Sequence, residues 1–217
     1  MRKVQFVTGE YYHIFNRGTD KRNIFGDKYD YERFFQSMEE FNTIEPIGSI
    51  FESSFRRRNQ LGNPVSKLKM KKDKPLVDFI AYCLNPNHYH FILRQLVDRG
   101  IEKFMHKLGL GYTKHFNHKN HRNGVLFQGP FRGVHIDSNE YLLYVSAYVN
   151  LNNSVHKLGN GVSKSSWDEY IHRRNGICDK KIILKQFKSI SEYKNFSKGA
   201  LKIMLERKEM EHLLIEN

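Results

Sequence analysis

The segment from Leu76 to Gln95 constrains the fold more than any other part of this sequence. Leu76 to Leu84 (LVDFIAYCL) is a mostly apolar run rich in Val, Phe, Ile and Tyr, which is typical of a buried β-strand. Asn85-Pro86-Asn87 is a tight turn signal, and His88 to Gln95 (HYHFILRQ) then returns as a second strand. The sequence therefore predicts a β-hairpin against which the other elements must pack.

The patterns on either side of this hairpin predict a mixture of strands and helices. They are a strand from Tyr11 to Asn16, a helix capped by Asp27 and running to about Asn42, a helix over Gly100 to Asn117 in which a break near Gly109-Leu110-Gly111 is left open, a bent or paired strand segment from Val125 to Ile136, a helix from Glu140 to about Asn152 capped by Ser138, a short WDEY helix and a C-terminal helix from about Ser197. Strands and helices mixed with antiparallel hairpins predict an α+β fold with the helices on one face of the sheet.

Two histidines of the returning strand could carry chemistry. Successive strand residues point to opposite faces, so His88 and His90 share one face, while Tyr89, Phe91 and Leu93 form the apolar face. Two imidazoles side by side on an open sheet face are well placed to share one divalent metal. The alternative is that both are simply exposed strand histidines.

A second group of candidates lies on the helix predicted from Glu140. Tyr144, Tyr148 and Asn152 recur every four residues and therefore line one face of a helix. A phenol is a weak nucleophile because its pKa is ~10, but a metal that polarises a phosphodiester offsets this. The alternative is that Tyr148 belongs to the core of an amphipathic helix.

The positive charge of the chain is unevenly distributed. Residues 56–74 (RRRNQLGNPVSKLKMKKDK) contain eight Lys or Arg and one Asp, so they hold more than half of the formal net charge of +13. Gly62, Asn63 and Pro64 break any regular period, which indicates a long loop or arm. The arm either contacts phosphates or is a solvated insert without a role. The excess charge favours a polyanionic partner, either nucleic acid or an anionic membrane surface.

Composition excludes several classes of protein. With 39% hydrophobic and 13% aromatic residues the chain is not disordered, and no apolar run approaches the ~20 residues of a membrane span. The first residues lack the apolar region of a signal peptide, and Cys83 and Cys178 alone cannot form a disulfide framework. We therefore expect a cytoplasmic protein.

Several motifs, taken in order, resemble one known family. They are YHIFNRG (12–18), PNHYHF (86–91), YTKHFN (112–117), LFQGPFRG (126–133), YVNLNN (148–153) and SSWDEY (165–170). PNHYHF looks like the His-hydrophobic-His motif of HUH-type single-tyrosine transposases, and the other motifs resemble the REP-associated tyrosine transposase branch. The resemblance covers most of the chain from about Tyr11 to Tyr170 and depends on the number and order of the motifs.

The resemblance implies a fold and a reaction. The family is built on a ferredoxin-like (RRM-like) antiparallel sheet, and it cuts and rejoins single-stranded DNA near hairpins through a covalent 5′-phosphotyrosine intermediate with Mg²⁺ or Mn²⁺. By this resemblance His88 and His90 are metal ligands, Tyr148 is the nucleophile and Asn152 completes the metal site. Tyr144, one turn earlier, is the competing nucleophile. Such a protein would be associated with the nucleoid, and a homodimer is left open.

Further residues are expected to contact DNA. Arg17 and Arg132 sit beside glycines in the matching motifs, where a backbone can approach a phosphate, and Lys114 lies on the predicted central helix. Arg56, Arg57 and Arg58 of the basic arm complete this set. Phe127 and Phe131 are candidates for stacking on unpaired bases, or for core packing.

The chain is expected to divide into a catalytic domain over residues 1–170, with the basic insert at about 46–75, and a helical extension over 171–217. The extension is predicted to pack on the domain, with a dimer interface as the alternative. Two rival functions remain open: an RRM-like nucleic-acid-binding protein without catalysis, derived from such a transposase, and a metal-dependent phosphodiesterase that activates water.

Overall fold

A computed structural model of the protein describes residues 4–45, 47–48, 50, 74–158, 163–172 and 174–215. Within these ranges the strands are β1 (Tyr11–Arg17), β2 (Val77–Asn85), β3 (His88–Gln95), β4 (Arg132–Ile136) and β5 (Lys164–Ser165). The helices are α1 (Lys28–Glu40), α2 (Gly100–Lys119), α3 (Asn139–Asn150), α4 (Asn152–Val155), α5 (Trp167–Ile171), α6 (Lys181–Leu184) and α7 (Ile190–Ile215), with a 3-10 turn at Thr19–Lys21. Arg56, Arg57, Arg58 and nearly all of the predicted basic arm lie outside the described residues.

The strands form one antiparallel sheet in the order β4-β1-β3-β2-β5. The first four strands and the two helices between them follow the chain order β-α-β-β-α-β, which is that of a ferredoxin-like fold. The predicted hairpin is β2 and β3, which pair from Asn85↔His88 at the turn to Val77↔Gln95. The α+β fold with an antiparallel sheet, expected from the sequence, is confirmed.

One face of the sheet is covered by α1 and α2. Their buried side chains, among them Phe34 and Phe104, pack with strand residues such as Phe91 and Leu93 into one hydrophobic cluster. Asp27 caps α1 as predicted, because its carboxylate accepts the backbone N–H of Asp30 at 3.1 Å. The sequence predicts one such helical layer, with all helices on a single face of the sheet.

The opposite face is also covered in part, which corrects that expectation. Leu142, Val145 and Val149 of α3 pack with Ile80 and Ile92 of the sheet into a second cluster. The reason lies in β2, where every residue from Phe79 to Asn85 is buried, so that both faces of this strand need a cover. The helix that carries Tyr148 is therefore the second cover of the sheet.

A buried polar network fixes α3 to its surroundings. Ser166 donates a hydrogen bond to the side-chain oxygen of Asn150 at 2.6 Å and accepts one from the backbone N–H of Tyr82 at 2.9 Å. Asn150 in turn donates to the hydroxyl of Tyr193 on α7 at 2.9 Å. Strand β2, α3 and α7 are thus joined through side chains that have no contact with solvent. The predicted division into a domain and an extension stays a prediction, but α7 does pack on the helix of Tyr148.

Several predicted boundaries differ from the structure. Helix α2 continues without a break through Gly109 and Gly111, and the C-terminal helix begins at Ile190 rather than about Ser197. Of the segment Val125 to Ile136 only β4 is a strand, because Gly129 adopts a φ of 72° and turns the chain.

The ends of the basic insert are held together. The backbone N–H of Ile44 donates to the carbonyl of Lys74 at 3.0 Å. The Asn42 side chain accepts from the N–H groups of Leu76 and Val77, both at 3.0 Å, and donates to the carbonyl of Val77 at 2.8 Å. The chain therefore leaves α1 and enters β2 at neighbouring points.

Among the described residues, no helix has the length and apolar character that crossing a bilayer requires.

Candidate functional site

The two predicted histidines stand together at the start of β3. The rings of His88 and His90 lie nearly perpendicular, with centroids 5.2 Å apart. His90 is buried and His88 is half-buried, while Tyr89 and Phe91 between and beyond them belong to the core on the other face. The strand alternation that the sequence predicts is therefore observed.

Tyr148 of α3 lies against the same histidines. Its ring stands edge-on to His90, with centroids 5.4 Å apart and planes at 84°. It is half-buried, and it lines a cleft of about 590 Å³ together with His88 and His90. Tyr144, the competing candidate, packs like Tyr148 against the cluster that contains Ala200 and Met204 of α7, but it does not line this cleft.

Asn152 comes within hydrogen-bonding distance of the first histidine. Its Oδ1 is 3.1 Å from Nε2 of His88, although the residue itself is fully buried. Helix α3 ends at Asn150, and Asn152 begins the short helix α4, so its direction is set by the turn between them. The structure thus brings together all four residues that were predicted from the resemblance: His88, His90, Tyr148 and Asn152.

Asn85, at the end of β2, was not predicted but holds the amide of Asn152 in place. Its Nδ2 donates to Oδ1 of Asn152 at 2.6 Å and lies 2.9 Å from Nε2 of His88. Its Oδ1 accepts from the Ser163 hydroxyl at 2.8 Å. Because Asn85 is completely buried, its orientation is fixed by these partners. Its only sequence signal was its place in the turn.

Two further histidines extend the pair into a row of four imidazoles. His13 on β1 lies with Nε2 2.9 Å from Nδ1 of His90, and its ring centroid is 5.8 Å from that of Tyr148. His156, just after α4, lies with its ring 4.9 Å from that of His88. No local pattern pairs either one with His88 or His90, since these contacts join distant parts of the chain.

Burial sets the charge state of this group. It lowers the pKa of His13 to about 4, that of His156 to about 4, and those of His88 and His90 below the ordinary value. The four rings are therefore neutral at pH 7, and each carries one bare nitrogen. Burial also raises the pKa of Tyr148, and the neighbouring Asn152 amide opposes this shift.

The rim of the cleft is basic. Arg17, Lys21 and Arg132 line it, and none of the described residues around it is acidic. The guanidinium of Arg17 is held by the side chain of Gln128, which lines the cleft as well. A polyanion could enter this cleft without meeting a negative side chain.

Other predicted contact residues lie elsewhere. Lys114 is exposed on α2 and does not line the cleft. Phe127 and Phe131 line a separate groove of about 840 Å³ between α2 and the segment before β4, and both also pack against the core. Arg56, Arg57 and Arg58 fall outside the described residues.

The cleft offers few side chains that could bind a divalent ion. In the described part of the chain, no group of three or more His, Cys, Asp or Glu side chains is arranged to hold a metal. A metal here would need the amide oxygen of Asn152 as well as the two imidazoles. The 3.1 Å between Nε2 of His88 and Oδ1 of Asn152 is about the spacing of adjacent ligands that each stand ~2.1 Å from one ion. His88 and Asn152 are therefore spaced as two adjacent ligands of one divalent ion would be, and His90, whose ring centroid lies 5.2 Å from that of His88, is the third candidate.

No family model matches the sequence, and no curated protein matches it. Among solved structures, the fold is similar to that of a REP-associated tyrosine transposase bound to a REP hairpin. The sequence identity is 10% and the TM-score 0.48, over 82% of this chain and 93% of that chain. With so low an identity and score, the function has to be argued from the residues of the cleft.

Proposed function

We propose that this chain is a transposase-like, metal-dependent DNA strand transferase or endonuclease that cuts and rejoins single-stranded DNA through a tyrosine. The observation that carries the proposal is the position of Tyr148, edge-on to His90 in the cleft that His88 also lines. A phenol and two neutral imidazoles that line one basic cleft, with an amide oxygen buried beside His88, suit attack on a phosphodiester.

In the proposed reaction the Tyr148 oxygen attacks the phosphorus of the scissile phosphodiester. A bond forms between this oxygen and phosphorus, and the bond from phosphorus to the 3′-oxygen breaks. The DNA is left attached through a 5′-phosphotyrosine. The phenol gives up its proton to solvent, and the 3′-oxygen leaves as a hydroxyl by taking one up from solvent, so that the protons balance. Rejoining is the same exchange in reverse, with a 3′-hydroxyl displacing the tyrosine.

The tyrosine needs help to lose its proton. Burial raises the pKa of Tyr148, so its hydroxyl is protonated at neutral pH. A Mg²⁺ or Mn²⁺ ion held by His88, His90 and Asn152 would stabilise the negative charge that develops on the phosphate oxygens during attack. The buried amide of Asn152 beside Tyr148 acts against the effect of burial and lowers the pKa of the phenol.

The substrate class follows from charge and from the motifs together. Arg17, Lys21 and Arg132 at the rim would bind phosphates on either side of the scissile bond. Hairpin-bearing single strands are taken from the resemblance of the motifs. The basic arm, with Arg56, Arg57 and Arg58, and Lys114 on α2 would add phosphate contacts outside the cleft. A homodimer is compatible with this function but is not required by it.

The proposal is tested by trapping the covalent intermediate. We expect the protein, with Mn²⁺ and labelled hairpin-bearing single strands, to form an adduct that survives denaturing electrophoresis, and EDTA to prevent it. Tyr148→Phe should reduce the adduct to background because the attacking oxygen is gone, whereas DNA binding should persist.

Tyr144→Phe is the matched control, since the same hydroxyl is removed one helical turn away. It should keep the adduct. An adduct that depends on Tyr144 would move the nucleophile there, and cleavage that survives Tyr148→Phe would support activated water instead. If the wild type binds DNA tightly with or without metal but forms no adduct on any hairpin library, the protein is a nucleic-acid-binding protein without catalytic activity.

A further inference from the structure

His13 is the one imidazole of the row that lies behind the cleft. It is on β1, next to the strand of His90, and is only 8% exposed. It is not one of the residues that line the cleft. Its ring is nearly parallel to that of His90, at an interplanar angle of 21°, and its Nε2 lies 2.9 Å from Nδ1 of His90.

This contact decides which nitrogen of His90 carries the proton. A neutral imidazole has one N–H and one bare nitrogen. If Nδ1 of His90 donates to His13, then Nε2 of His90 is bare and can bind a metal ion. If His13 donates instead, Nε2 of His90 carries the proton and cannot bind. With Nδ1 engaged by His13, Nε2 is the ring nitrogen of His90 that is left for the cleft.

The neighbouring His88 shows the same arrangement with a different partner. Its Nδ1 lies 2.6 Å from Oδ1 of Asn87, an oxygen that can only accept, so Nδ1 carries the proton. Nε2 of His88 is then bare and faces Oδ1 of Asn152 and Nδ2 of Asn85. Ligand histidines typically donate their second ring N–H to an outer acceptor in this way. For His90 the residue in the position of that acceptor is His13.

We propose that His13 is a positioning residue that accepts the Nδ1–H of His90 and so keeps the Nε2 lone pair of His90 available to the cleft. The inference rests on the proposed function for its purpose, but the tautomer it assigns is a property of the protein alone. His13 also contacts the edge of Tyr148, so it supports the metal-binding and the attacking group from the same position.

The first test needs neither metal nor DNA. In long-range ¹H–¹⁵N spectra of the metal-free wild type, we expect His90 to carry its proton on Nδ1 and to show a bare Nε2. A proton on Nε2 of His90 would overturn the proposal. In His13→Phe, which keeps a ring but removes the acceptor, the preference for the Nδ1–H form should be lost.

The second test is Mn²⁺ binding, followed by electron paramagnetic resonance. His13→Phe should weaken binding about 10- to 100-fold, as loss of outer partners of ligand histidines does. His13→Gln should recover most of it because its amide oxygen can accept the Nδ1–H. Binding by His13→Gln as poor as that by His13→Phe would refute the acceptor role.

His135→Phe is the matched control. It is a strand histidine on β4 whose ring contacts Tyr12 on the other face and whose Nε2 lies 3.0 Å from Glu10, and Mn²⁺ binding should be unchanged. If the wild type binds no Mn²⁺, the metal site of the proposed function is refuted. The tautomer of His90, measured by NMR, would still confirm or refute the role of His13. If His13→Phe does not fold, the wild-type tautomer and His13→Gln carry the test.

Discussion

Asn85 connects the two halves of the candidate site at the level of single side chains. The Nδ2 of Asn85 donates to Oδ1 of Asn152 and lies within hydrogen-bonding distance of Nε2 of His88. Its Oδ1 accepts a hydrogen bond from the Ser163 hydroxyl. The amide cannot rotate without breaking all three contacts. The position of Asn152 next to His88 therefore depends on a residue that does not itself line the cleft.

Replacing Asn85 by Asp tests this dependence. Asp has nearly the same shape but no N–H, so two buried acceptors lose their donor and face a carboxylate. We expect the free energy of unfolding to fall by about 1–3 kcal/mol, measured by urea titration. The yield of covalent DNA adduct should fall as well, because Asn152 is no longer held.

Asn139→Asp is the control for this change. Asn139 is exposed in the first turn of α3, where its amide donates to Gln186 at 2.6 Å. A carboxylate there loses this exposed hydrogen bond but interacts favourably with the helix dipole, which offsets the loss. Its stability and adduct yield should not decrease. An Asn85→Asp protein as stable and as active as the wild type would show that the amide network does not position the site.

The residues of the site divide into those that local sequence could predict and those that it could not. His88 and His90 follow from strand alternation, whereas Tyr148 and Asn152 follow from the motifs, since Asn152 lies beyond the end of α3 and the predicted helical spacing does not extend to it. His13 and Asn85 contact the site because β1 and β2 lie on either side of β3 in the sheet. Local sequence patterns do not predict the order of strands in a sheet, so these two residues could not be identified in advance. The one available signal for His13 was its place opposite the apolar Tyr12 and Ile14 on β1.

At the level of elements, Gly109 and Gly111, near which a break in α2 was left open, have different surroundings. A Cβ on Gly111 would lie 2.6 and 2.7 Å from two ring atoms of Phe41, so glycine lets the ring pack directly on the helix backbone. A Cβ on Gly109 would meet nothing within 4 Å. Glycine at position 111 is therefore needed for packing, whereas in the described structure no packing contact requires glycine at position 109.

This difference predicts opposite effects of the same substitution. Gly111→Ala should lower the free energy of unfolding by about 1–3 kcal/mol because the buried Phe41 ring must move. Gly109→Ala should raise it by about 0.5–1 kcal/mol because alanine favours the helix over the unfolded chain. Urea unfolding of both variants, with the helix content followed by circular dichroism, measures the pair. A stabilising Gly111→Ala would mean that Phe41 can yield without cost.

The elements themselves were largely predictable, whereas their ends and partners were less so. The hairpin and the Asp27 and Ser138 caps are local features, and all are found. The second helical layer was not expected, because a nearly continuous apolar strand such as β2 gives the same pattern whether one helix layer or two cover the sheet.

At the level of the whole molecule, the cleft and most of the positive charge belong to different segments. The cleft has its own basic rim in Arg17, Lys21 and Arg132, while residues 56–74 hold more than half of the excess charge of the chain. We expect the arm to contribute affinity for DNA through phosphate contacts, and the cleft to carry the reaction.

Changing the seven Lys and Arg of residues 56–73 to Gln tests this separation without altering chain length. Single-strand DNA binding should weaken, and the slope of log affinity against log salt should become shallower by up to about 5, which corresponds to seven lost phosphate contacts. Fluorescence anisotropy across a salt series measures both. The tyrosine adduct should still form at saturating DNA. Loss of the adduct under those conditions, or an unchanged slope, would contradict the assignment.

The hydrogen bond between Ile44 and Lys74 has a consequence for what this fold can tolerate. The two ends of the insert lie side by side because of this hydrogen bond. The entropic cost of closing a loop between such ends depends only weakly on loop length and rises by about 0.6 kcal/mol for each doubling. The junction is therefore a suitable insertion site for a reporter or a recognition module whose termini lie close together. Such an insertion would add a binding module to the protein without redesign of its sheet.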